Sequence, residues 1–197
     1  MSLTGTYPLV LASTSKYRAA LLGQLGYEFT SIAPPVDEDQ FKNLGHSPLE
    51  LSRILSRAKA REAYALKPES CVIGSDQVCH HKGNILSKPK TIERAIEQLL
   101  SMQNDTHELI TSVTVICPSG EETFSNTTKL TMRKLSLDEI TRYVQNDLPL
   151  DCAGSYKLET SGIKLFSKIE MNDHTSIIGL PLIQLTTVLH QFGFPIY

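Results

Sequence analysis

The stretch Leu9-Val10-Leu11-Ala12-Ser13-Thr14-Ser15-Lys16-Tyr17-Arg18-Ala19-Ala20-Leu21-Leu22 decides how this chain is read. An apolar run that stops at small hydroxyl residues and resumes as Ala-Ala-Leu-Leu is a strand turning directly into a helix. Ser or Thr caps that helix. Its start then gathers unpaired backbone N–H groups, hydroxyls, Lys16 and Arg18 in one place. Such a cluster suits a phosphate, because helix-start amides and tethered cations both favour an anion. The plain alternative is an ordinary capped helix with solvated basic residues.

Outward from this segment, Glu28 to Ala33 reads as a second strand stopped by Pro34-Pro35, with the acidic loop Val36-Asp37-Glu38-Asp39 after it. Ser47-Pro48-Leu49-Glu50 is a helix start with a Ser cap, Pro at the first helical position and Glu placed for a capping box. The apolar stripe of that helix runs through Leu51, Ile54, Leu55 and Ala58, which puts Lys59 on the face of Leu55. A lysine there either snorkels or projects into something anionic. Cys71-Val72-Ile73-Gly74 is a short strand ending at Ser75-Asp76-Gln77, and a hairpin through Lys82-Gly83-Asn84 leads to Ser87-Lys88-Pro89. A helix over 91–102, strands over 108–117 and 122–132, a capped helix from Ser136 to 146 and a final helix from Pro181 to Gly193 complete the pass. The segment 152–170 is broken up by Gly and Ser. Strands and helices mix without strict alternation, so the expected fold class is α/β: a mixed sheet flanked by helices, in two lobes around a cleft.

The bulk numbers bound the function. A length of 197 residues suits one domain spanning 1–197, and 41% hydrophobic content supports a substantial core. Nineteen basic against 21 acidic residues leave a net charge of −2, so no global field attracts a nucleic acid polymer. No apolar run approaches membrane-spanning length, which makes a membrane partner unexpected and the cytoplasm the expected location. The cysteines at 71, 79, 117 and 152 form no CxxC pair, so they read as free thiols and not as a zinc site. His80 and His81 precede a turn signature and are expected at an exposed hairpin tip.

Singly, the polar residues have bland explanations: Asp76 caps a turn, Lys88 sits on the surface, Glu38 is solvated. As a set they resemble something specific. The chain is similar to the Maf family of nucleotide pyrophosphatases at Leu11 to Arg18, Pro35-Val36-Asp37-Glu38, Ala58-Lys59-Ala60, Ile73-Gly74-Ser75-Asp76-Gln77, Lys88-Pro89, Cys152-Ala153-Gly154-Ser155-Tyr156-Lys157 and Gly179-Leu180-Pro181-Leu182, in the family's order. The resemblance implies a Maf- and inosine-triphosphatase-like fold. It also implies hydrolysis of a nucleoside triphosphate between its α- and β-phosphates, helped by a divalent metal, Mg²⁺ or Mn²⁺. In this pattern Ser13, Ser15, Arg18, Lys59, Lys88 and Lys157 bind the substrate. Asp76 accepts the proton of the attacking water or holds the metal, or does both, and Glu38 is the second acidic ligand.

Within the family, Tyr17, Gln77 and Glu159 bear on the base. The pyrimidine branch, acting on dTTP and UTP, is expected to carry Arg, Thr and Gln there. An aromatic, a Gln and an acid instead resemble the 7-methyl-GTP branch. N7-methylation makes guanine cationic, which favours an aromatic face, and a carboxylate can accept from the N1–H and 2-amino edge. The chain departs from that branch with Tyr17 in place of Trp, Lys16 in place of Pro and Ser87 in place of Gly. The family also suggests a homodimer and a role in clearing modified nucleotides. A non-catalytic, nucleotide-binding regulator of septum formation is the reading from a different class.

Overall fold

Leu9–Ala12 form the first strand, β1, with every residue buried. The computed structural model describes residues 5–42 and 44–197. Beside β1 lie β2 (Phe29–Ser31) and β3 (Cys71–His81), both parallel to it. The remaining strands are β4 (Asn84–Leu86), β5 (Thr106–Cys117), β6 (Gly120–Met132) and β7 (Phe166–Glu170). Together they make a seven-stranded sheet in the order β2-β1-β3-β5-β6-β7, with β4 paired to β3. The β3–β4 and β6–β7 pairs are antiparallel, so the sheet is mixed, as expected. The helices are α1 (Lys16–Gly23), α2 (Asp39–Lys42), α3 (Pro48–Leu66), α4 (Ile92–Met102), α5 (Leu137–Asp147) and α6 (Leu182–Gln191). No helix of the described residues is long and apolar enough to cross a membrane.

The chain divides into two compact units, one holding the described residues up to Asp76 with Thr111–Asn126 and Asp173–Tyr197, the other Gln77–Ile110 with Thr127–Asn172. In the first unit, strand alternation sends Leu9, Leu11, Cys71 and Ile73 into one core with Leu22, Leu180, Leu185 and Leu189. Val10, Ala12 and Val72 face the other way, against Ala63 of α3. Burial on both faces is why β1 reads as an unbroken apolar run.

α3 starts with the expected capping box between Ser47 and Glu50. Its buried face differs from the expected stripe: Ser52, Ser56 and Lys59 are buried with Leu51 and Leu55, whereas Ile54 and Ala58 are only half-buried. The serines can be buried because each finds a hydroxyl, Ser52 Oγ at 2.7 Å from Ser112 Oγ and Ser56 Oγ at 3.0 Å from Thr114 Oγ1. Gly74 lets α3 approach closely, since a Cβ on it would lie 2.4 Å from the Ser56 carbonyl oxygen and 2.6 Å from the Ala60 nitrogen.

In the second unit, Lys82 and Gly83 both take positive φ, 47° and 83°, and close the β3–β4 hairpin. Here the expectation for the histidines is corrected. His81 is buried with Nε2 3.3 Å from Asp105 Oδ2, and His80 is half-buried, accepting from the Gly83 N–H. Both belong to β3, because the strand continues to the turn itself. A second correction concerns the cysteines of the first unit: Cys71 and Cys117 form a disulfide, while Cys79 and Cys152 are free. Their separation of 46 residues carries no signal in the sequence; β3 and β5 being neighbours brings them together.

The aromatic centre of the second unit is His107, 1% exposed, with Nε2 2.9 Å from the Tyr156 hydroxyl and Phe166 alongside. Its Nδ1 is buried without a hydrogen-bond partner. Burial, helped by nearby His81, lowers the His107 pKa to about 4.

Two outcomes follow. Gly74→Ala forces α3 off β3 and lowers unfolding stability by about 1–3 kcal/mol in urea titrations; a loss within experimental error shows that the close approach is not structural. His107 stays neutral in the fold but protonates in the unfolded chain, so stability rises with pH between about 4 and the ordinary histidine value near 6.5. His107→Gln removes up to about 3 kcal/mol of that rise, the equivalent of the pKa difference, and unchanged slopes in both proteins reject the assignment.

Candidate active site

Where β1 stops, the chain turns at once. The Ser13 N–H donates to the Leu11 carbonyl, and Ser13 Oγ accepts from the Ser15 N–H at 3.1 Å. Ser15 is the N-cap of α1, its Oγ accepting from the Arg18 N–H at 3.4 Å. Both hydroxyls thus organise the turn as acceptors, and each keeps a proton to donate. The Lys16 and Tyr17 amides that precede Arg18 in the first turn of α1 have no intrahelical acceptor, which leaves them available to an anion.

Arg18 projects from that first turn and is held from its far side. Its Nε donates to the Gly179 carbonyl at 3.0 Å, and buried Ser75 Oγ donates to the same oxygen at 2.8 Å. Gly179 sits at φ 109°, and a Cβ on it would lie 3.2 Å from Arg18 Nε. Buried Asp173 fixes the turn leading to Gly179: Oδ1 accepts from the Thr175 N–H and hydroxyl, and Oδ2 accepts from the Ile183 N–H at the start of α6. Ser75 and Gly179 lie within the motifs read from the sequence, but only the shared carbonyl reveals what they do. Burial weakens the Arg18 guanidinium's hold on its proton and leaves it below the ordinary value, the charges of Asp76 and Glu38 opposing the shift only in part.

Asp76 corrects the expectation of a residue at a strand end. It lies within β3, which runs on to His81. The partner strand is what ends: Ala12 pairs with Gly74, so Ser75 and Asp76 emerge beyond the carboxyl end of β1. That is where parallel strands of an α/β sheet place ligand-binding groups. Alternation turns Asp76 to the α3 side of β3 and Ser75 to the other.

There Asp76 meets Lys59. The ammonium lies 2.7 Å from Asp76 Oδ1 and also 2.7 Å from Glu38 Oε1. Lys59 and Asp76 are 8% and 6% exposed, whereas the Glu38 side chain is 40% exposed. Burial raises the Asp76 carboxyl above its ordinary value; Lys59 and Arg18 oppose the shift and Glu38 adds to it. A carboxylate poised upward beside cations is suited to take a proton.

Among the described residues no three His, Cys, Asp or Glu side chains form a metal-holding group. The two carboxylates that converge on Lys59 nevertheless have the oxygen chemistry of a hard divalent cation, which needs few protein ligands because it keeps waters.

The other expected residues divide. Tyr17 is half-buried next to this cluster in sequence, and its ring carries the Lys16 ammonium 5.2 Å from the centroid. Gln77, Lys88, Lys157 and Glu159 belong to the second unit. Lys88 and Glu159 are exposed. Lys157 is engaged within its own unit, where its ammonium donates to the carbonyls of Asp147 and Leu148, at 3.2 and 3.0 Å, closing the end of α5.

Known proteins match this arrangement along nearly its whole length. Residues 8–192 match the family described as Maf-like protein. A 7-methyl-GTP pyrophosphatase of Bdellovibrio bacteriovorus is 47% identical over 93% of this chain and 96% of the relative. One of Xanthomonas axonopodis pv. citri is 43% identical over 95% and 98%. The solved Staphylococcus aureus Ham1 protein shares the fold, with a TM-score of 0.52 at 18% identity over 92% of this chain and 98% of that one. Strand, capped turn, buried Lys–Asp pair and near full-length similarity lead to one conclusion: the chain belongs to the Maf family.

Proposed function

We propose that this chain hydrolyses 7-methyl-GTP to 7-methyl-GMP and diphosphate, working as one catalytic domain. The observation that carries the reading is the Lys59 ammonium shared between Asp76 and Glu38, beside Arg18 and an open helix start. A triphosphate meets Arg18 at the start of α1, with Ser13, Ser15 and the free first-turn amides of α1 donating to its oxygens. Lys88, exposed in the second unit, and Lys157, whose ammonium closes the end of α5, add further cations. Asp76 takes a proton from water as its oxygen bonds to the α-phosphorus. The bond from that phosphorus to the α–β bridging oxygen breaks, and diphosphate leaves with the electron pair.

Glu38 and Asp76 would hold a divalent cation, Mg²⁺ or Mn²⁺. When bound it supplies neutralisation of phosphate charge. Keeping both carboxylates against a lysine also accounts for their survival together in a small volume, since the ammonium screens their repulsion.

Two features support a methylated guanine over a pyrimidine. The Tyr17 ring already accepts a cation from within the chain, so its face suits a cationic base. Glu159 is an exposed acid that can accept the paired donors of the guanine edge. The names of the relatives point the same way.

Asp76→Asn lowers diphosphate release from 7-methyl-GTP about a thousandfold while nucleotide binding persists, the loss of a positioned base; normal turnover assigns the base elsewhere. In a panel of 7-methyl-GTP, GTP, UTP and dTTP, Glu159→Gln loses more activity on 7-methyl-GTP than on UTP. Equal losses remove the base-recognition argument, and a wild-type preference for UTP or dTTP favours the pyrimidine reading.

A further inference from the structure

A helix favours cations at its C-terminal end, where the unpaired carbonyls concentrate negative charge. α5 nevertheless ends on Asp147. The carboxylate is there for the segment after it. Oδ2 accepts from Thr160 Oγ1 at 2.7 Å and from the Ser161 N–H at 3.1 Å, and Oδ1 accepts from Ser161 Oγ at 2.8 Å. One turn earlier on α5, the Tyr143 hydroxyl accepts from the Lys157 N–H at 2.9 Å. Lys157 returns the contact by capping the α5 carbonyls, with its ammonium 3.5 Å from Asp151 Oδ1. The Gly162 N–H donates to the Lys157 carbonyl at 3.0 Å, and a Cβ on Gly162 would lie 2.3 Å from that oxygen. Burial pulls the Asp147 carboxyl upward. The bonds from Thr160 and Ser161, with the charge of Lys157, outweigh it and hold the group below its ordinary value, so it stays an ionised acceptor.

Residues 157–162 are therefore tied down at both ends. Lys157, Thr160 and Ser161 all use their side chains internally. Glu159, exposed between them, makes no side-chain hydrogen bond or ion pair among the described residues. A charged side chain on a pinned segment with nothing of its own to bind is preorganised for a ligand, and preorganisation reduces the ordering that binding demands.

We infer that Asp147 is a positioning residue for base selectivity: by anchoring Thr160 and Ser161 to the end of α5, it holds Glu159 ready for the guanine edge. The inference rests on the proposed reading of Glu159 and adds a residue that no part of that reading assigns. The Asp147 carboxylate bonds to Thr160 and Ser161, neither of which is read as phosphate-binding, so its loss falls on recognition of the base and spares the chemical step.

The test compares Asp147→Ala and Asp147→Asn, each alone and combined with Glu159→Gln, in diphosphate release, with thermal melting alongside. Substrates are 7-methyl-GTP and UTP, the latter read as a KM where it is turned over and as a competitive Ki where it is not. Asp147→Ala raises KM for 7-methyl-GTP about tenfold with kcat within about twofold, and leaves the UTP constant within about twofold. Asp147→Asn keeps an acceptor for Ser161 and recovers most of the loss. The Asp147→Ala, Glu159→Gln double variant is no worse on 7-methyl-GTP than Glu159→Gln alone, because residues acting through one another are not additive. Should Asp147→Ala fail to fold, Thr160→Val with Ser161→Ala carries the same expectation.

Equal losses on both nucleotides, or a double variant that multiplies the single effects, overturn the positioning role and leave the proposed reaction standing. A selective Asp147→Ala beside an inert Glu159→Gln overturns it as well. Wild-type protein that releases no diphosphate from 7-methyl-GTP removes the underlying reading and this inference together.

Discussion

A lysine ammonium almost withdrawn from water and divided between two carboxylates is the constraint on which the first unit is built. Burying Lys59 and Asp76 forfeits hydration that their attraction only partly restores, and apolar side chains of similar volume would serve stability as well or better. Removing one partner would leave an uncompensated charge in the interior. The arrangement is therefore hard to explain as scaffolding and easy to explain as chemistry. It also dictates its surroundings. To bring Lys59 to Asp76, α3 must lie close on β3, which is why Gly74 has no side chain and why Ser52 and Ser56 stand where larger aliphatic residues would push the helix away.

The same logic explains Arg18. A guanidinium at the start of a helix would sample many rotamers in water. Here the Gly179 carbonyl, itself oriented by Ser75 and the Asp173 turn, accepts from its Nε and so limits those rotamers. Positioning thus comes from segments nearly the full chain length apart: the turn after β1, the middle of β3 and the entry to α6. Each contributes short polar contacts that matter only in combination.

Much of this is legible in the amino-acid sequence alone. The hydroxyl turn after β1, the capping box opening α3, the cap opening α5 and the Lys82-Gly83 hairpin are local signals, set by residues within a few positions of one another, and they hold. What stays hidden depends on distant partners. Ser75-Asp76-Gln77 looks like the end of a strand because its polarity breaks the apolar pattern and β1 stops opposite Gly74; the pairing with β4 at Cys79–His81 shows that β3 continues. Ser52 and Ser56 look solvent-facing until Ser112 and Thr114 are placed opposite them. β7 is a five-residue edge strand whose Ser167, Lys168 and Glu170 are exposed, the composition by which edges avoid further pairing, so it reads as loop. The contact of the Lys157 ammonium with the end of α5 is equally hidden, because it joins residues nine and ten positions apart across a turn that the sequence does not mark.

Two carboxylates meeting one ammonium raise the question of which is better suited to accept a proton, and their environments separate them. The Glu38 side chain is 40% exposed, so water continues to stabilise its charge. Asp76 has lost that stabilisation, and the charge of Glu38 pushes its carboxyl further in the same direction. Acid–base assignments follow such divergence, because a group whose charged and neutral forms lie closer in free energy exchanges a proton more readily near neutrality. The ammonium between them keeps that tendency in check: without Lys59, burial would drive Asp76 towards the neutral acid, which cannot accept a proton. Base strength and availability of the ionised form pull against each other, and the shared lysine is what allows both in one buried carboxylate.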